Sequence, residues 1–253
     1  MGSEAPAGSI WLRPERAAAG RPAQHTRAEI TGAALRIADA EGLDAVSMRR
    51  VAAELGTGAA SLYRYVENRD EMLDLMTDAT AAEYRLDPPP GQTAPGGWLA
   101  ELVALGEQAR AILRRHRWLA ALSLTRPVIG PNAIAVIERF LDIVSGHPAP
   151  LAAKLEAFAM LNGLTATTVL HEQAGGPALQ ERNVGYLRHA IAAGGHPRLS
   201  ELVAAQDEDQ DQDQAHDQAP AGPADRYPDV LARVLLGLLG GGGDTRIRSD
   251  YRD

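Results

Sequence analysis

The chain of 253 residues contains no cysteine. That excludes a disulfide framework, a thiol nucleophile and a thiolate-bound zinc. Aromatic residues make up only 4% of it and β-branched runs are scarce, so little material for a sheet remains; the apolar 45% is mostly Ala and Leu, which favours helix. No segment reaches the roughly 18 consecutive apolar residues that span a bilayer, and no membrane partner is expected. The opening MGSEAPAGSIWLRPERAAAGRP lacks the basic-then-apolar layout of a secretory leader, so a soluble cytoplasmic protein is expected. Lysine is almost missing too: Lys154 stands alone among two dozen arginines.

Net charge is −8, which averaged over the chain does not suggest a nucleic-acid binder. The distribution matters more, since the N-terminal quarter is the only part that is not strongly acidic. Trp11 to Asp70 holds nine arginines and eight acids, a balance of +1, so the remainder carries −9.

Residues 1–24 are Gly, Pro, Ala and Arg without periodicity and are expected to be a flexible arm. Its Arg13, Arg16 and Arg21, with Arg27 just beyond, are candidates for the minor groove of DNA. Thr26-Arg27-Ala28-Glu29 is a capping box, followed by apolar residues at helical spacing as far as Gly42. Ser47 caps a second helix that stops at Gly56, a third runs from about Gly58 to Tyr65, and Asn68 opens a fourth. The Pro- and Gly-rich stretch 87–97 ends this unit. Helices are expected over Trp98–Arg115, Trp118–Leu124, Asn132–Ser145, Leu151–His171, Pro177–Ala193 and Asp225–Leu239. The acidic run DEDQDQDQAHD, within an insert at about 204–224, cannot build a core, and 241–253 is expected to be a tail. The expected fold is all-α, with about ten helices in two domains, 25–86 and 98–240.

The stretch LGTGAASLYRYVENRDE carries the chemistry. Its GTGAAS approximates a GxGxxG phosphate loop, but that loop needs a strand before it and a long helix after it. The preceding residues have helical period, and the third glycine position is Ser61. A helix-turn-helix fits better. Gly56 suits the tight turn, Gly58, Ala59, Ala60 and Ser61 are small enough for a groove floor, and Tyr63, Arg64 and Tyr65 suit its phosphate walls.

Residues 26–72 resemble the DNA-binding domain of the TetR family of bacterial repressors. The resemblance lies in a first helix ending near Ala-Glu-Gly, in Ser-x-Arg-x-Val-Ala-x-x-Leu-Gly, in Leu-Tyr-x-Tyr-Val, and in Asn-Arg-x-Glu where the family usually has Asn-Lys-x-Glu. It implies phosphate or base-edge contacts from Ser47 and Arg49. It places Thr57, Ala59, Ala60 and Ser61 in the major groove and Tyr63, Tyr65 and Arg69 on phosphates. Arg64 reaches either a guanine edge or a phosphate. Segments such as HRWLAAL, GPNAIAVIERFLDIV and KLEAFAMLNGLT resemble the ligand-binding and dimerising domain of the tetracycline-repressor branch. This implies a homodimer on a palindromic double-stranded operator, with Leu151–His171 and Asp225–Leu239 at the interface, and release by an unidentified small-molecule effector. Control by a partner protein, or activation instead of repression, is the alternative.

Polar residues within apolar helices are the pocket candidates: His116, Asn132, Asn162, Thr165, Thr168 and His171, with Trp118 beside them. Each competes with a plainer role, a cap for Asn132, back-bonding for the threonines and core packing for Trp118. His171-Glu172 starts an HExxH pattern that Gly175 breaks, so no metal is expected. No cofactor is expected, and no nucleophile–base pair suggests an enzyme.

Overall fold

Three of the four helices of the N-terminal part begin where a side chain accepts an otherwise unmet backbone N–H. The computed structural model describes residues 9–14, 25–86, 97–175, 177–201, 203 and 225–240. Helix α1 spans Arg27–Glu41 and starts with the full capping box: the Thr26 hydroxyl accepts the Glu29 N–H and the Glu29 carboxylate accepts the Thr26 N–H. Ser47 caps α2, Met48–Glu54. Asn68 caps α4, Arg69–Ala81. Between these two lies α3, Ala59–Leu62, which runs into a turn through Tyr65.

The corner between α2 and α3 is a Schellman turn. The Thr57 N–H reaches the Ala52 carbonyl at 2.9 Å and the Gly56 N–H reaches that of Ala53 at 3.2 Å, with Gly56 at φ 65°. Gly58 is different. Its φ is −82° and a Cβ there would meet nothing within 4 Å, so the fold itself does not require glycine. Gly56→Ala is therefore expected to lower stability by about 1–2 kcal/mol. Gly58→Ser, which adds an N-cap hydroxyl, should gain a few tenths. Urea midpoints of the two variants test this; equal losses would contradict it.

Further helices are α5 Gly97–Arg115, α6 Leu119–Thr125, α7 Pro131–Ile143, α8 Leu151–Ala174, α9 Pro177–Ala192 and α10 Tyr227–Leu239, and residues 197–201 are also helical. No strand occurs among the described residues, so the fold is all-α as expected. Among the described residues, those up to Leu170 and those from Tyr227 onward make one compact unit, and those between make another. In the first unit, one apolar cluster joins Ile30, Ile37, Val51, Leu62 and Met76 to Ile112, Leu119 and Val169. A second joins Leu102 and Leu105 of α5 to Phe140, Leu161, Leu231, Leu235 and Leu239. The apolar stripe of α10 is thus buried mainly inside its own chain, leaving Leu236 45% exposed. In the second unit, α9 exposes Val184, Tyr186 and Leu187.

Helix α4 carries Asp70, Asp74 and Asp78 along one face, four residues apart. Arg126, after α6, pairs with Asp74 at 2.9 Å and with Asp70 at 3.5 Å. Asp78 is 3% exposed and its carboxylate accepts the N–H groups of Asn132 and Ala133 and the Asn132 side-chain amide. A side chain of α4 therefore caps the N-terminus of α7.

Within the arm expected at 1–24, the described residues 9–14 are held to the fold. Ile10–Leu12 forms a 3-10 turn with Ile10 just 1% exposed in the N-terminal core. Arg13 binds Glu67 and Glu71, and the Arg27 guanidinium donates to the carbonyls of Ile10, Arg13 and Tyr65. Apolar burial of Ile10 and these bonds fix the turn, so Arg13 and Arg27 face the protein instead of a minor groove. Arg16 and Arg21 lie outside the described residues, as do 87–96 of the linker, the insert at 204–224 and the tail at 241–253.

Candidate nucleic-acid interface

The turn from Leu55 to Tyr65 projects small side chains from a rigid corner. Leu62 is fully buried beneath it, while Gly58 and Ala60 are exposed and Ala59 is half-buried. The Thr57 and Ser61 hydroxyls lie 2.8 Å apart, and Ser61 Oγ also donates to the Gly58 carbonyl at 2.7 Å. This pair ties the start of α3 to the corner and fixes the hydroxyls at the surface where a base edge would approach.

The arginines around this turn divide by partner. Arg50 pairs with Glu41 at 2.7 Å and Glu54 at 3.1 Å, and Arg36 stands 3.8 Å from Glu54. Their charge is spent within the domain. Arg49 and Arg64 are exposed and, among the described residues, have no hydrogen-bond or carboxylate partner. A guanidinium left without a carboxylate keeps its five donors for an external acceptor. Ser47 is exposed beside Arg49, though its hydroxyl already accepts the Arg50 N–H.

Two expected contacts need correction. Tyr65 is 6% exposed and belongs to the N-terminal core, in the turn that follows α3. Tyr63, 53% exposed, is the ring that remains available to a phosphate. Arg69 is exposed, but its Nε and one Nη each donate at 2.9 Å to the carbonyls of Val46 and Leu43. It closes off the 3-10 turn Leu43–Ala45, and only what remains of its fork can meet DNA.

Sequence reasoning missed Glu67 and Glu71, two acids at the start of α4. Burial pushes the Glu71 carboxyl up, but the Arg13 hydrogen bond, the Glu67 N–H and the charges of Arg13 and Arg27 outweigh it and hold it below the usual carboxylate range. Asp78 was missed as well. An acid inside the Leu75–Met76–Ala79 stripe was the available signal for a buried partner.

The expected pocket residues are mostly satisfied within the chain. The two ring nitrogens of His116 lie 2.8 Å from Asp39 and 2.7 Å from Glu83, and Trp118 Nε1 donates to Asp39 at 2.8 Å. His116 and Trp118 thus bind α5 and α6 to α1 and to the end of α4. Asn132 serves Asp78. Asn162 donates to the Phe158 carbonyl and Thr168 to that of Leu164, four residues back in each case. Thr165 Oγ1 meets both the Leu161 carbonyl and the Tyr227 hydroxyl. His171 is exposed in the second unit. For all but His171 the reason is shared: within a helix, or facing another helix, a polar side chain finds a protein partner. Among the described residues no group of three acids or histidines could hold a metal ion, and no helix is long and apolar enough to cross a membrane.

Known proteins share this arrangement. Residues 30–76 match the model of bacterial regulatory proteins of the tetR family, and 89–217 match that of the tetracyclin repressor-like C-terminal domain. The chain is 34% identical over 233 residues to the HTH-type transcriptional repressor DrrR1 of Streptomyces coeruleorubidus, covering 90% of this chain and 83% of that one. An HTH-type transcriptional regulator of Saccharopolyspora erythraea is 34% identical over 234 residues, 92% of each chain. The structure of ActR from Streptomyces coelicolor in complex with actinorhodin superposes with a TM-score of 0.69 at 28% identity, covering 87% of this chain and 98% of that one.

Proposed function

The chain belongs to the TetR family of bacterial transcriptional regulators, and from that premise we propose that it is a homodimeric repressor of a palindromic operator, released by a small organic molecule. The observation that carries the reading is the exposed turn of α3 flanked by Arg49 and Arg64, which have no partner among the described residues, while neighbouring arginines are neutralised. Two copies of such a turn, one helical repeat apart, read a two-fold site. Dimerisation is supported by α8, which leaves Leu151, Leu155 and Met160 between 46% and 62% exposed, and by Leu236 of α10. Release by a small molecule is supported by the likeness to ActR, solved with actinorhodin. The effector acts by favouring a state whose reading turns no longer match successive major grooves.

Selection of binding sites from random duplexes by the full chain tests this. The expected product is an inverted repeat with half-sites about one turn apart, bound by two chains. An enriched site without two-fold symmetry, or bound by a single chain, would overturn the dimeric reading. Screening small molecules against the complex tests release. If release follows only addition of a protein, the partner-controlled alternative replaces the small-molecule one.

A further inference from the structure

The turn Ile10–Leu12 precedes the DNA-reading helices in sequence, yet it touches both ends of α4. Ile10 plugs the N-terminal core, and Arg27 holds the carbonyls of Ile10 and Arg13 at 3.2 and 2.8 Å with one nitrogen while its Nε holds that of Tyr65. This fixes the turn to the segment leaving α3. Arg13 then reaches the start of α4, with one Nη 2.6 Å from Glu67 and the other 2.6 Å from Glu71. At the far end, the Trp11 ring packs where Gly130 passes Asp78. A Cβ on Gly130 would fall 2.8 Å from Trp11 Cζ2 and collide with the Asp78 carboxyl.

Resting on the operator-binding reading above, we propose that Ile10–Arg13 is a strap and that Arg13 is a positioning residue for DNA binding, neutralising Glu67 and Glu71 at the start of α4 while Trp11 anchors it before α7. The physical need is clear from the sequence order. Tyr63 and Arg64 are followed within three residues by Glu67, and Glu71 lies one helical turn further. A phosphate drawn to Tyr63, Arg64 or the Asn68-capped helix start would, if Arg13 were absent, meet an unpaired Glu67 carboxylate and a Glu71 carboxylate offset only by the charge of Arg27. Like charges there oppose DNA over a Debye length of about 10 Å at 0.1 M salt. Glu71 is 8% exposed at its side chain and also accepts the Glu67 N–H at 2.7 Å, so the acid is built into the segment and its charge needs a counter-ion from elsewhere. Arg13 supplies it, and Arg27 keeps Arg13 in place.

The test uses the full chain and the operator it selects. Arg13→Gln is expected to weaken binding about tenfold at low salt, with the deficit shrinking as salt rises. Glu67 is 62% exposed at its side chain, so Glu67→Gln added to Arg13→Gln should restore most of the affinity without repairing any packing. Unchanged affinity in Arg13→Gln would overturn the proposal. So would a loss that is independent of salt and not restored by Glu67→Gln, which would mark a fold defect and accompany a lowered unfolding midpoint. If the native chain enriches no site at all, the operator reading falls and the strap's role falls with it. If the native chain binds and Arg13→Gln binds equally, only the strap is wrong.

Discussion

Arg64→Ala is expected to weaken binding to the selected operator about 10- to 100-fold while leaving the unfolding midpoint unchanged. The asymmetry follows from its surroundings. Arg64 is exposed and has no partner among the described residues, so the fold loses no bond when it is shortened. The turn it belongs to offers few substitutes, because Gly58, Ala59 and Ala60 carry no hydrogen-bonding side chain. The lysine variant separates its two possible roles. If Arg64 holds a guanine edge through two nitrogens, Arg64→Lys recovers little and discrimination at one base position relaxes. If it holds a phosphate, lysine recovers most of the affinity, and the alanine variant loses affinity on all sequences with a salt slope smaller by about one. Arg50→Ala is the control. Its guanidinium is committed to Glu41 and Glu54, so its loss should move affinity little. Anisotropy titrations at several salt concentrations give all three results. An Arg64→Ala affinity within twofold of native would remove Arg64 from the interface.

The N-terminal architecture was legible because its signals are local. Thr26, Ser47 and Asn68 were read as caps from sequence, and each accepts the N–H three residues on. Gly42 and Gly56 were read as stops, and both have positive φ. Such interactions span a few residues, so the residue types and their spacing nearly determine them. The helices after residue 97 were legible for the same reason, from apolar period and from the Pro and Gly between them.

What was not legible depends on residues distant in sequence. Nothing near Arg69 says that its donors will meet carbonyls 23 and 26 residues earlier, and nothing near Arg13 announces Glu71, 58 residues later. From sequence, Arg13, Arg27, Arg49, Arg64 and Arg69 all stand as candidate DNA contacts, whereas pairing among the described residues leaves Arg49 and Arg64 open and commits Arg13, Arg27 and part of Arg69. Tyr65 shows the same limit by burial. It stands two residues from Tyr63, and on so short a helix the turn that follows, not the helical period, decides which ring faces out. The internal partners of the pocket candidates were not legible either. An isolated histidine or amide in an apolar helix signals a need for a partner, but His116 finds Asp39 and Glu83, 77 and 33 residues away, and Asn132 finds Asp78.

The second large effect is expected at that last pair. Asp78→Ala should cost about 2–3 kcal/mol, which in a protein of this size lowers the unfolding midpoint by roughly 5–10 °C. The carboxylate accepts two backbone N–H groups and an amide at the start of α7. Its removal leaves those donors unmet beside Gly130 and takes a negative charge from the positive end of a helix dipole. Asp74→Ala is the comparison, since Asp74 lies on the same face of α4 one turn earlier but pairs with a cation, Arg126. The Asp74–Arg126 pair is 28% and 35% exposed at its side chains, and a pair so open to water contributes about 1 kcal/mol or less. Charge alone would make the two substitutions equivalent, whereas burial and helix capping make Asp78 the costlier by at least twofold. Thermal unfolding of both variants decides between these accounts, and equal losses would mean that Asp78 is not the fixed point joining α4 to α7. The same variant bears on release. If α4 carries the effector's influence to the reading turn, loosening it from α7 should leave the ligand-free Asp78→Ala protein able to bind operator but less responsive to a releasing compound than the native chain.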